Sequence, residues 1–131
     1  IMDREKANIY KKDSVVTELV YTDFMFFKNK KLLVKDEFKN KKGLVMFYAP
    51  WCKHCKKRAK MWEELGCQFL NKFFISTVNV ENIKMDNDLI KLEYNVKMYP
   101  TVFYATQNGI LHKYDGILNK DDIICFIWDK I

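Results

Sequence analysis

Cys52 and Cys55 stand two residues apart in Trp51-Cys52-Lys53-His54-Cys55-Lys56. That spacing suits two thiols that open and close one disulfide between them. The run before them, Leu44-Val45-Met46-Phe47-Tyr48, is almost wholly apolar and predicts a central strand covered on both faces. Behind them Cys55, Ala59, Trp62, Leu65 and Phe69 recur at steps of four and three, the inward stripe of a helix. A strand leading into a helix puts the first thiol at the helix N-terminus. Free backbone N–H groups and the helix dipole favour negative charge there. Cys52 is therefore expected to be the exposed nucleophile. Cys55, one turn in, is expected to be buried and slow to ionise. Cys52 would attack a substrate disulfide and Cys55 would resolve the mixed disulfide.

The rest of the chain must hold this pair in place. Val15 to Val20 is β-branched and predicts a strand. Phe24 to Phe27 reads as an extended piece and Val34 to Asn40 as a short helix ending near Gly43. Phe73 to Val80 predicts a strand and Asp88 to Tyr94 a helix. Thr101 to Thr106 and Ile110 to Tyr114 flank Gln107-Asn108-Gly109, a hairpin signal. Asn119 can cap a last helix that has Asp121 and Asp122 in its first turn. Ile123, Ile124, Ile127, Trp128 and Ile131 would form its buried side. Strands alternating with helices and closing on a hairpin and helix give an α/β fold, a mixed sheet with helices on both faces. Residues 1–14 are polar and weakly periodic, and read as an N-terminal extension or linker outside a domain spanning 15–131.

The motif Ala49-Pro50-Trp51-Cys52-Lys53-His54-Cys55-Lys56 resembles the thioredoxin superfamily, and within it the protein disulfide isomerase branch. Only Lys53 departs from that branch's pattern, which has glycine there. Tyr99-Pro100-Thr101 matches the family's Tyr-Pro-Thr, and Tyr114-Asp115-Gly116 resembles its Tyr-x-Gly before the last helix. The resemblance implies a thioredoxin fold and a thiol–disulfide oxidoreductase acting on cysteine-containing protein clients, recharged by a separate redox partner. It implies a cis Pro100 facing the dithiol, with Tyr99 and Thr101 beside it and Trp51 as a platform for the client. It also implies that His54 lies close to the Cys52 sulfur. Lys53 would add a second cation, so the couple is expected near the isomerase end of the scale, roughly −180 mV, rather than the thioredoxin end, roughly −270 mV. Location in the lumen of the endoplasmic reticulum or another secretory compartment is implied in the same way.

Three departures carry chemical weight. Six residues before Cys52 the family has a buried acid that moves protons at the second cysteine, and here stands Met46. The lysine that pairs with that acid is replaced by Thr77, so no lone interior charge is left behind. Proton transfer at Cys55 must use another group, and slower turnover than the family's is expected, with Met46→Glu raising it. Lys60 replaces a helix-kinking proline, so a straighter helix is expected. The stretch from Asn79 to Pro100 suggests an enlarged loop around Glu81 to Asp88.

Composition limits the alternatives. The 131 residues, 49% apolar, suffice for one packed domain. The net charge of +6 comes almost wholly from scattered lysines, with arginine only at Arg4 and Arg58. That pattern fits a solvated surface, with a mild preference for acidic clients, and not nucleic-acid binding. No apolar run approaches the roughly 18–20 residues of a membrane span. The chain starts at Ile1 with no signal core and ends without a Lys-Asp-Glu-Leu type tetrapeptide, which suggests a piece of a longer protein. No cofactor is expected. A lone Cys-x-x-Cys supplies too few thiolates for a closed zinc site. Cys67 and Cys125 read as free structural thiols, with a second disulfide or an intermolecular bridge as the alternative, since spacing does not fix connectivity. A thioredoxin-fold module of low turnover that holds a partner in the groove is the competing reading.

Overall fold

The computed structural model describes residues 5–131. Its centre is β4 (Gly43–Tyr48), six residues buried without exception. The unbroken apolar run is thus explained by cover on both faces. β4 runs parallel to β5 (Phe74–Asn79) and antiparallel to β6 (Thr101–Ala105). β1 (Thr17–Leu19) adds parallel to β5, and β7 (Leu111–Lys113) antiparallel to β6. The strand order is β1-β5-β4-β6-β7, a mixed sheet.

Alternation along β4 divides the core. Phe47 turns to one face, where it packs edge-on against Phe103 and against Tyr94, which follows α3 (Asn87–Glu93). Met46 and Tyr48 turn to the other. There Trp62 of α2 (Ala59–Gln68) donates its indole N–H to Ser76 O at 3.1 Å. Phe126 of α4 (Lys120–Lys130) packs on Tyr104, its ring centre 5.7 Å away. Trp62, Leu65 and Phe69 are fully buried, each contributing about 1.5–3 kcal/mol by leaving water. The predicted stripe is thus the seam between helix and sheet. Asn119 caps α4 as expected, its side chain accepting from Asp122 N at 2.8 Å. Ile123 and Ile127 are buried, but Trp128 and Ile131 are more than half exposed. Trp128 only meets Phe69 edge-on.

Two further expectations change. The predicted helix at 34–40 is a single 3-10 turn, Asp36–Phe38. Phe24–Phe27 (β2) is not a lone extended piece but pairs with β3 (Lys30–Leu33). The turn between them is Lys28-Asn29, and Lys28 takes a positive φ of 55° that glycine usually supplies. This hairpin docks on the β6–β7 turn: Leu33 N donates to Gly109 O at 2.8 Å. Gly109 combines a φ of 81° with a Leu33 carbonyl 2.3 Å from where a Cβ would stand, so only glycine fits.

The segment expected outside the redox core lies on it. Tyr10 is 4% exposed and belongs to the main apolar cluster. Asn79 donates to Lys6 O and to Asn8 Oδ1 at 2.9 and 2.7 Å, and Glu5 pairs with Lys56 at 2.7 Å. The expectation for residues 1–4 lies outside the described residues.

Candidate active site

β4 delivers the chain to Cys52, which caps α1 (Lys53–Lys57). Cys52 N donates to Ala49 O, and Cys52 O accepts from Cys55 N and Lys56 N at 3.1 and 3.0 Å. Both thiols are free. Cys52 is less open than expected, at 8% exposure. Its Sγ points to Tyr99 O at 3.7 Å. The Tyr99–Pro100 peptide bond is cis. Tyr99 and Trp51, both partly exposed, meet edge-on at 6.2 Å.

Cys55 is fully buried. Burial pushes its thiol up to about 12; a backbone hydrogen bond at Ala49 pulls the other way, the neighbouring Cys52 sulfur raises it further, and the Arg58 guanidinium lowers it least. The two sulfurs therefore differ in access and in readiness to ionise. Cys55 keeps its proton at neutral pH and can react only when something removes it.

The helix behind the dithiol breaks at Arg58, contrary to the straight course expected from the missing proline. The guanidinium Nη1 donates to His54 O at 2.9 Å, the acceptor that the Arg58 backbone N–H would use in an unbroken helix. Arg58 N turns instead to Cys55 O at 3.1 Å, and Nε reaches Leu118 O at 3.3 Å. A side chain thus makes the break that proline makes elsewhere.

Of the residues singled out from sequence, the fold gathers Cys52, Cys55, Trp51, Tyr99 and Pro100. Lys53 and His54 lie on the outward face of α1, exposed. Among the described residues no hydrogen bond joins His54 to the Cys52 sulfur. Thr101 turns its hydroxyl to Met98 O at 2.6 Å. Beside Pro100 and Thr101 a groove of about 670 Å³ runs past Met98, Tyr114 and Leu118 without including either cysteine. Cys67 and Cys125 are free and exposed, far from a core role. Among the described residues no cluster of three or more metal-ligating side chains exists, and no helix is long and apolar enough to cross a membrane.

Glu18 was missed. It pairs in register with Thr77, which pairs with Met46, so the three occupy one row across β1, β5 and β4. Glu18 Oε1 accepts a hydrogen bond from Tyr48, and Oε2 is shut from solvent without a partner among the described residues. Burial lifts this carboxyl to about 7, although the Tyr48 hydrogen bond and the nearby Thr77 hydroxyl, outside full hydrogen-bond geometry, draw it down. The signal in the sequence was a lone acid inside Val15-Val16-Thr17-Glu18-Leu19-Val20.

A mixed five-stranded sheet with helices on both faces, a dithiol at the start of a helix and a cis proline beside it define a thioredoxin fold. The Thioredoxin family model matches residues 19–129, and the chain belongs to that family. It is 38% identical over 90 residues to a protein disulfide-isomerase of Ricinus communis, a match covering 66% of this chain and 17% of that protein. Protein disulfide-isomerase A5 of Bos taurus is 37% identical over 87 residues, again 66% of this chain and 16% of the relative. The chain thus spans about one sixth of the length of these relatives. Among solved structures the J-Trx1 fragment of ERdj5 superposes with a TM-score of 0.66 at 19% identity, covering 88% of this chain and 51% of that one, a likeness of fold.

Proposed function

We propose that the protein is a thiol–disulfide oxidoreductase of the protein disulfide isomerase type, working on protein clients through Cys52 and Cys55. The observation that carries this reading is the asymmetry of the two thiols. Cys52 begins a helix beside the Tyr99 carbonyl, and Cys55 lies beneath it, buried and protonated. In the reducing direction the Cys52 thiolate attacks a client disulfide, forming one S–S bond and releasing one client thiolate. Cys55 then loses its proton and attacks the Cys52 sulfur. The Cys52–Cys55 disulfide forms, the second client thiolate leaves, and two electrons have passed to the client. The reverse sequence donates a disulfide.

Trp51, Tyr99 and the Pro100–Thr101 edge form the wall against which a client strand would lie. Pro100 brings no N–H there, which leaves the adjoining backbone to pair with the client. Exposed Lys53, Lys56, Lys57 and Lys60 around the site favour acidic client segments. The kinship with protein disulfide-isomerases supports a secretory compartment such as the lumen of the endoplasmic reticulum, and a separate protein that recharges the dithiol.

Equilibration in glutathione buffers tests the reading, using a protein with Cys67→Ser and Cys125→Ser so that only one couple can form. A Cys52–Cys55 disulfide with a potential near roughly −180 mV is expected. A dithiol that forms no intramolecular disulfide would overturn the assignment.

A further inference from the structure

Cys55 cannot attack while it holds its proton, and the position where the family has its acid is Met46. The acid is present two strands away. Glu18 shares the row of Thr77 and Met46 and is tied to Tyr48, on the same strand as Met46 and four residues before Cys52. Tyr10 covers this group from the N-terminal segment, its ring edge-on to Tyr48 at 5.6 Å. Its hydroxyl is buried with no partner among the described residues. The charges of Glu18 and Cys55 both bear on Tyr10. Both Tyr10 and Glu18 lie outside the stretch that matches the family model.

We propose that Glu18 is the positioning acid of this site, taking up the proton that Cys55 gives up and returning it in the reverse reaction, with the Tyr10 hydroxyl, which holds no hydrogen bond among the described residues, turning to carry it between them. This rests on the oxidoreductase reading above. When Cys55 resolves a mixed disulfide, its S–H bond breaks and the proton passes to the Glu18 carboxylate. The sulfur electron pair forms the bond to Cys52, and the client thiolate departs with the electrons of the broken bond. A carboxyl held at about 7 is part ionised at neutral pH and can both take and return a proton. Tyr10 and Tyr48 stay neutral, because burial and the Glu18 charge push their phenols up. The titratable groups around Glu18 are Tyr48 of β4 and Tyr10 of the N-terminal segment, with Cys55 of α1 and Glu63 of α2 acting on Tyr10. Among the described residues Glu18 forms no ion pair, so no lysine holds it charged.

The test uses the Cys67→Ser, Cys125→Ser protein and an aromatic disulfide that releases a coloured thiolate twice. The first release reports attack by Cys52, and the second reports attack by Cys55 on the mixed disulfide. In Glu18→Gln the second release should slow roughly a hundred-fold at neutral pH and lose its inflection near 7, while the first keeps its rate. Glu18→Asp should keep the inflection, and Tyr10→Phe should slow the second release alone. If Glu18→Gln does not fold, the Tyr10→Phe arm decides. A second release whose rate and pH profile are unchanged in both variants would overturn the role of Glu18 and leave the oxidoreductase reading standing. A parent that gives no release at all would overturn that reading itself.

Discussion

The dithiol has two sides of opposite construction. The outer wall of Trp51, Lys53, His54, Tyr99 and Pro100 is exposed or partly exposed, and comes mostly from residues consecutive in the chain. The floor of Tyr10, Glu18, Met46, Tyr48 and Thr77 is closed to water around its polar atoms, and comes from four separate segments. A wall in contact with solvent can exchange its charges at little cost. A floor cannot, because an unpaired charge there has no water to stabilise it. The wall therefore keeps the family's pattern with one substitution. On the floor, the expected acid and its lysine are both gone, and a different acid stands two strands away in the same row with tyrosines in place of a cation.

This contrast can be broken from either side, beginning with the floor. The folded Glu18 holds its proton up to about 7, against an ordinary 4.5. Between those values the folded chain binds a proton that the unfolded chain has lost. Stability is therefore greatest at the acid end and falls as pH rises toward 7, a loss of about 3 kcal/mol once Glu18 is ionised. Glu18→Gln should remove that loss, giving urea unfolding at pH 8 up to about 3 kcal/mol more stable than the parent, with the difference gone near pH 4. Equal pH dependence in both proteins would mean that the carboxyl is not held in a dry floor. Next comes Met46→Glu. With Glu18 in place, a second acid in the same row repels the first and adds little, within about three-fold in client reduction. In the Glu18→Gln background the same substitution should restore most of the roughly hundred-fold lost from the second release. A large gain from Met46→Glu alone would show that the floor has no working acid. The wall gives the smallest effect: Lys53→Gly should move the potential toward the thioredoxin end by up to roughly 30 mV, a tenfold change in the exchange constant.

The same contrast explains what could be read from sequence. β4, the helical stripe of Trp62, Leu65 and Phe69, the β6–β7 hairpin and the capped α4 announce themselves by local period and turn chemistry. Cys52, Cys55 and Pro100 are legible because their motif is contiguous or close to it. The β2–β3 hairpin was not, since its turn is Lys28-Asn29 and a lysine at positive φ leaves no mark in composition. The break at Arg58 was hidden for another reason: it depends on a guanidinium reaching back to His54 O and across to Leu118 O. Tyr10 and Glu18 were hidden most completely. Their partner, Tyr48, lies 38 and 30 residues away along the chain, and only the sheet register and the course of the N-terminal segment bring them to it.

The most direct test of the two-thiol account is to trap the intermediate. Cys55→Ser and Cys52→Ser proteins, each with Cys67→Ser and Cys125→Ser, would be mixed with a disulfide-containing acidic client and resolved on non-reducing gels. The account predicts that Cys55→Ser accumulates a mixed disulfide with the client and that Cys52→Ser accumulates none. Equal trapping by both variants, or trapping by Cys52→Ser alone, would contradict it.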